Sequence, residues 1–126
     1  MTPDEMKKRL RAYALRCIRL AESFPKTITG KIMANQLIRC GTSAAANYHA
    51  ACAGRSYADF LNKLGIVEEE ADESVFWIVM AKEAELTKDA LVSDLIKEGR
   101  EIISIVVASE KTAKARRVAK ARKNPA

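Results

Sequence analysis

The stretch of residues 40–77 constrains the fold more than any other part of the chain. Residues 41–53 are a run of mostly small side chains, which would let another helix backbone approach closely. Gly54 then interrupts the run, and Ser56 followed by Asp59 has the spacing of a capping box at a helix start. The stretch therefore predicts a helical hairpin, in which one helix ends at this glycine and a long helix begins just after the serine.

Apolar residues recur at steps of three and four along four segments of the chain, which is the spacing of one helix face. Five glycines and three prolines are too few for the turns that an all-β protein needs. Breaks near Pro25, Gly54 and Thr87 separate the segments. We predict an all-α domain of four helices over residues 1–110, followed by a basic tail over residues 111–126. The spacing of the tail could continue the fourth helix, but its composition favours a frayed, solvated arm when nothing is bound.

The chain of 126 residues is long enough to bury a core without disulfides or metal. Its three cysteines are an odd number and form no Cys-x-x-Cys pair, so we interpret Cys17, Cys40 and Cys52 as buried small hydrophobic residues. No signal peptide is visible, and no apolar run approaches the roughly 20 residues of a membrane span. We therefore expect a cytoplasmic protein.

Charge is distributed unevenly along the chain, although the net charge is +6. Residues 1–55 hold ten Lys and Arg against three Asp and Glu, residues 56–110 hold five against thirteen, and residues 111–126 hold seven against none. Basic runs of this kind neutralise phosphates without reading sequence, although a basic tail can also serve only for solubility. The candidate nucleic-acid-binding residues are Lys7, Lys8, Arg11, Arg16, Arg19, Lys111, Lys114, Arg116, Arg117, Lys120, Arg122 and Lys123.

The sequence contains no constellation typical of an enzyme. The glycines form neither a dinucleotide-binding fingerprint nor a P-loop, and the single histidine, His49, has no partner at ligand spacing. The acidic residues between 68 and 73 are not followed by the Glu-x-x-His pairs of di-iron bundles, so they indicate a solvated or partner-binding face. We predict a non-enzymatic protein without cofactor or metal.

The sequence resembles the four-helix-bundle proteins first noticed as intervening-sequence proteins encoded within 23S rRNA genes, also labelled S23. The matching pattern covers about half of the chain. It comprises Gln36, Ser43, Asn47, Ala53, Ser56, Asp59, Phe60, Lys63, Leu64, Glu69, Asp72, Glu73, Ser74, Phe76 and Trp77. One position departs from it, because the family usually has Glu three residues after the asparagine and this chain has Ala50.

The resemblance implies an antiparallel up-down-up-down bundle and a relation to the accessory variability protein of diversity-generating retroelements. That relative looks like a ring-shaped homopentamer with a basic surface, which binds nucleic acid and a reverse transcriptase. By resemblance, then, the expected partners are further copies of the chain, with a pentamer favoured, RNA or DNA, and a reverse transcriptase.

Two hypotheses follow for the function. In the first, the chain is a homo-oligomer that binds nucleic acid without sequence preference or assists ribonucleoprotein assembly. In the second, it is a structural or protein-interaction module whose acidic helix pairs with basic helices of other subunits. Oligomerisation is expected in both, because the third segment has apolar residues on more of its circumference than one core needs. We expect little base selectivity, because no aromatic-rich segment accompanies the charges.

Overall fold

The computed structural model describes residues 1–123, which form four α-helices and no strand. The helices are α1 (Pro3–Glu22), α2 (Ile28–Cys52), α3 (Tyr57–Glu83) and α4 (Asp89–Lys123). Each helix packs against the next, and α4 closes the ring by meeting α1 over a shorter stretch. The links are short, so consecutive helices are antiparallel. The predicted all-α class and the up-down-up-down bundle are confirmed.

Hydroxyl side chains start the first three helices, and the third start is the predicted one at Ser56. Thr2, Thr27 and Ser56 each accept a hydrogen bond of 3.1 Å from the backbone N–H three residues further on. Each hydroxyl satisfies one of the amides that a helix leaves unpaired at its first turn. Among the hydrogen bonds within residues 1–123, Asp59 makes none back to Ser56, so the predicted capping box is half formed.

A buried hydrogen bond crosses the centre of the bundle between α1 and α3. The hydroxyl oxygens of Tyr13 and Ser74 are 2.7 Å apart, and both residues are inaccessible to solvent. Ser74 donates its single proton to the backbone carbonyl of Ala71 at 2.6 Å, so Tyr13 must be the donor in the bond between them. Burial raises the pKa of Tyr13 far above its ordinary value, which keeps the phenol protonated for this role.

Two glycines allow helices to approach this centre closely. A Cβ on Gly99 of α4 would lie 2.7 Å from the Tyr13 hydroxyl and 2.6 Å from Cγ2 of Val75. A Cβ on Gly41 of α2 would lie 3.0 Å from Cβ of Cys17. The close packing at Gly41 that the small-residue run predicted is therefore confirmed, and Gly99 is a second contact of the same kind.

Helix α4 continues past Glu110 without a break, whereas the sequence favoured a frayed, solvated arm from Lys111 onward. Ala113 is only 5% exposed, and the ammonium group of Lys120 lies 5.7 Å from the centroid of the Tyr57 ring. The end of α4 therefore packs along the beginning of α3, which accounts for its helical form. Residues 124–126 of the predicted tail lie outside the described residues.

None of the four helices within residues 1–123 has an apolar stretch long enough to cross a membrane.

Gly99→Ala should destabilise the fold by about 1–3 kcal/mol, because the added methyl group overpacks the centre of the bundle. Gly65→Ala on α3 is the matched control. Nothing lies within 4 Å of its added Cβ, so it should stabilise the protein by about 0.5–1 kcal/mol through helix propensity. Urea denaturation of both variants gives the two free energies of unfolding. A Gly99→Ala protein as stable as the wild type would contradict the close approach of α4 to Tyr13.

Candidate nucleic-acid interface

The last turns of α4 form a cationic rod, which we call the basic end of α4 and define as residues 111–123. It is about 18 Å long at 1.5 Å per residue, and it contains no acidic residue. All seven of its predicted nucleic-acid-binding side chains are exposed: Lys111, Lys114, Arg116, Arg117, Lys120, Arg122 and Lys123. The structure therefore brings this group of predicted residues together on one helix end.

The two flanks of the basic end differ in what lies beside the charges. On one flank, Lys114 and Arg117 border an open apolar groove that Leu61 of α3 and Val118 line. On the other flank, Lys120 reaches the link between α2 and α3, where it lies over the Tyr57 ring. One flank is thus cationic and aliphatic, and the other is cationic and aromatic.

The predicted basic residues of α1 do not form a single surface with the basic end of α4. Arg16 and Arg19 line a depression with Leu91 and Leu95, in the first two turns of α4. That position is about 24 Å along the helix from Lys111. These two arginines therefore belong to the opposite end of the bundle.

Ion pairing divides the α1 candidates further. Arg16 donates to Asp94 at 2.8 Å, and Lys7 lies 3.9 Å from Asp4. Lys8, Arg11 and Arg19 are exposed and make no ion pair within residues 1–123. Lys8 and Arg11, in the first half of α1, are the candidates of this helix best placed to add to the basic end of α4.

Two arginines outside the predicted set each contact two carboxylates. Arg9 of α1 binds Glu98 of α4 through two hydrogen bonds of 2.6 and 2.8 Å, and it reaches Glu101 at 2.8 Å. Arg39 of α2 binds Glu70 at 3.1 Å and Glu73 at 2.9 Å on α3. The sequence gives no signal that separates these from other basic residues, because their partners are 31 to 92 positions away.

One group of potential metal ligands occurs within residues 1–123, and Arg39 contacts all three of its members. Ligand atoms of Cys40, Glu70 and Glu73 lie within 4.8 Å of one another. The Arg39 guanidinium already donates to both carboxylates and lies 3.2 Å from the Cys40 sulfur, so it supplies the positive charge. Burial raises the pKa of Cys40 to about 12, which leaves it a thiol rather than the thiolate that metals bind. The group is therefore an ion-pair network that joins α2 and α3.

A pair of carboxylates lies where the basic end of α4 begins. Glu110 of α4 faces Glu68 of α3, and its Oε1 is buried without a hydrogen-bond partner within residues 1–123. Burial first, and the neighbouring Glu68 second, raise the pKa of Glu110 to about 7, although Lys114 opposes the shift. This carboxyl group therefore exchanges its proton near neutral pH.

Comparison with known proteins agrees with the helical bundle described above. Residues 4–108 match the family described as the 23S rRNA-intervening sequence protein, and the chain belongs to that family. No curated protein matches the sequence. The match ends before Lys111, so the basic end of α4 lies outside the matched residues.

A solved structure also links the chain to this family. The chain is similar to a protein of unknown function from the S23 ribosomal protein family of Bacteroides thetaiotaomicron, with 27% sequence identity and a TM-score of 0.79. The likeness covers 84% of this chain and 98% of that protein. Neither comparison tests the predicted relation to the accessory variability protein, which stays a prediction.

Glu110→Gln should make stability less dependent on pH. The folded-state pKa of about 7 lies above the ordinary value of 4.5, so the native protein holds an extra proton between these values and loses stability as pH rises through them. Above pH 7 the amide variant should be more stable than the wild type by about 1 kcal/mol, allowing for partial exposure. Near pH 4.5 the difference should vanish.

Thermal or urea unfolding across this pH range measures the effect. Glu69→Gln is the control, because it makes the same chemical change at an exposed side chain of the same bundle. A wild type whose stability does not fall between pH 4.5 and 7 relative to Glu110→Gln would contradict the raised pKa.

Proposed function

We propose that this protein is a non-enzymatic nucleic-acid-binding protein that acts as a homo-oligomer in ribonucleoprotein assembly. The observation that carries the proposal is the basic end of α4, where seven exposed cations and no acid occupy about 18 Å of ordered helix. A rigid rod of charge has already lost the conformational freedom that a disordered tail would lose on binding. The ordered basic end of α4 is therefore well suited to bind a polyanion.

Binding at this site depends on phosphates rather than on bases. Lysine and arginine side chains that neutralise phosphates release condensed counterions, so affinity falls as salt rises. Charges project on both flanks of the helix, as Lys114 and Lys120 show by lining different cavities. This arrangement suits the backbone of a strand that wraps around the helix end, and it supplies little readout of base edges.

The family makes RNA the first polyanion to test, although its description names no ligand. Its description refers to the intervening sequences of 23S rRNA, and the chain shares that family over residues 4–108. The basic end begins just beyond this shared region. We infer that the bundle is the common scaffold and that this chain adds a cationic helix end to it.

An aromatic patch on α3 supports assembly of several copies. Phe76 is 52% exposed and packs edge-on against Trp77, with ring centroids 5.1 Å apart. The indole Nε1 of Trp77 is buried and has no acceptor within residues 1–123. A second subunit that covers Phe76 would bury this apolar surface, and several copies of the basic end would then act together on one strand.

The alternative of a pure protein-interaction module depended on an open acidic face along α3. Two of its acids, Glu70 and Glu73, are paired with Arg39 of the same chain. A third, Glu68, faces Glu110. Of the five acids between 68 and 73, Glu69 and Asp72 remain exposed for basic helices of other subunits, and this smaller acidic face favours the nucleic-acid hypothesis.

Replacement of four exposed cations by glutamine at Lys111, Arg116, Arg122 and Lys123 should weaken RNA binding and flatten its salt dependence. For each phosphate that is no longer neutralised, the slope of log affinity against log salt should fall by about 0.7 on single strands and 0.9 on duplex. Substitution is preferred to truncation after Glu110, because truncation removes the buried Ala113. Fluorescence anisotropy with labelled RNA at several salt concentrations measures both quantities.

The matched control changes the net charge by the same amount elsewhere. Lys26, Lys31, Lys88 and Lys97 are exposed, lie toward the opposite end of the bundle and are replaced by glutamine together. This control should bind RNA nearly as well as the wild type. Equal losses in the two variants would mean that total charge, not the basic end of α4, governs binding. No binding by the wild type at low salt would favour the interaction module.

Phe76→Ser should convert the oligomer to a monomer of 13.9 kDa, because it removes the apolar contact proposed between subunits. Leu91→Ser is the matched control, since this residue is 69% exposed on α4 and belongs to no proposed interface. Light scattering coupled to gel filtration gives the masses. A monomeric wild type at micromolar concentration would contradict the assembly.

A further inference from the structure

A pocket of about 410 Å³ lies at the link between α2 and α3, and parts of all four helices contribute to it. We call it the turn pocket. Its lining includes Cys52 at the end of α2, Arg55 in the link, Tyr57 and Phe60 at the start of α3, and Lys120 of α4. Its volume lies within the range of small-ligand sites, about 300–1,000 Å³.

The chemistry of this lining differs from that of the neighbouring cavities. The turn pocket combines two aromatic rings with two cations, and no acidic side chain lines it. The cavity at the link between α1 and α2 includes Glu22. The groove beside Val118 has cations but no aromatic ring. Rings beside cations, without a competing carboxylate, fit a ligand that has a flat apolar part joined to an anion.

A nucleotide is such a ligand, and the turn pocket opens on the basic end of α4 through Lys120. The proposed function places a phosphate backbone along this helix end. A strand that follows the cations of α4 passes the mouth of the pocket. The rings of Tyr57 and Phe60 are partly exposed there and offer a surface on which a base can stack.

We propose that the turn pocket holds one unpaired nucleotide of a single-stranded nucleic acid, with its base against Tyr57 and Phe60 and its phosphate at Arg55 and Lys120. This inference rests on the proposed function and adds a preference for single strands. A paired base is already stacked in its helix and cannot enter the pocket. Charge alone would not distinguish the two forms of nucleic acid in this way.

The test compares Tyr57→Ala and Tyr57→Phe with the wild type on two ligands, a short oligouridylate and an RNA duplex of the same length. Tyr57→Ala should weaken single-strand binding by roughly tenfold, the usual loss for one stacked base. Tyr57→Phe keeps the ring and should bind like the wild type. Duplex binding should be the same for all three proteins, and thermal unfolding checks that each is folded.

The outcomes separate this inference from the proposed function. If the wild type binds both ligands and Tyr57→Ala loses nothing on the single strand, the pocket assignment is wrong and the proposed function stands. Equal losses on single strand and duplex would also overturn the pocket, because they would report a general disturbance of the helix end. If the wild type binds neither ligand, both proposals fail.

Cys52 offers a second readout that does not depend on affinity. Cys17 and Cys40 are buried, whereas Cys52 is partly exposed in the pocket lining. Oligouridylate should slow alkylation of Cys52 several-fold in the wild type and not in Tyr57→Ala, with Cys52→Ser identifying the labelled thiol. Uridine monophosphate, at the same nucleotide concentration, should protect less. Equal protection by the monophosphate would overturn the assignment to a strand and indicate a site for free nucleotides.

Discussion

The hydrogen bond between Tyr13 and Ser74 is the contact on which the arrangement of the bundle depends. It joins α1 and α3, which are not neighbours around the ring of helices, and it lies where no water reaches. A buried hydroxyl without a partner costs about 1–3 kcal/mol, so any shift that separates the two residues is opposed. Gly99 lies beside this bond and leaves the space into which the phenol fits.

Around this centre, ion pairs between neighbouring helices align the helices and neutralise acidic side chains of α3 and α4. Arg9 joins α1 to α4, and Arg39 joins α2 to α3. Surface pairs of this kind add about 1 kcal/mol or less to stability each. Their larger effect is that they neutralise acidic charge on the bundle. Because these arginines of the same chain neutralise acids in the middle of the bundle, the basic end of α4 dominates the electrostatic potential at its end of the molecule.

Packing of α4 against α3 gives the basic residues 111–123 a defined arrangement in space. Ala113 and the contact of Lys120 with Tyr57 hold the end of α4 against the start of α3. The carboxylate pair of Glu68 and Glu110 lies at the base of this contact, where protonation near neutral pH relieves its repulsion. The proposed binding of a strand and of an unpaired nucleotide both depend on this docked helix end rather than on a free arm.

The sequence by itself determined the four helices, the start of the third at Ser56, and the cationic character of residues 111–123. These properties are local, because they follow from apolar spacing, hydroxyl caps and composition within one segment. Tertiary structure decided which charges work together. It paired Arg16 with Asp94, and it brought Tyr57 beneath Lys120 although 63 positions separate them. The expectation that no aromatic accompanies the charges considered only neighbours in sequence, whereas antiparallel packing makes neighbours of the two ends of a hairpin.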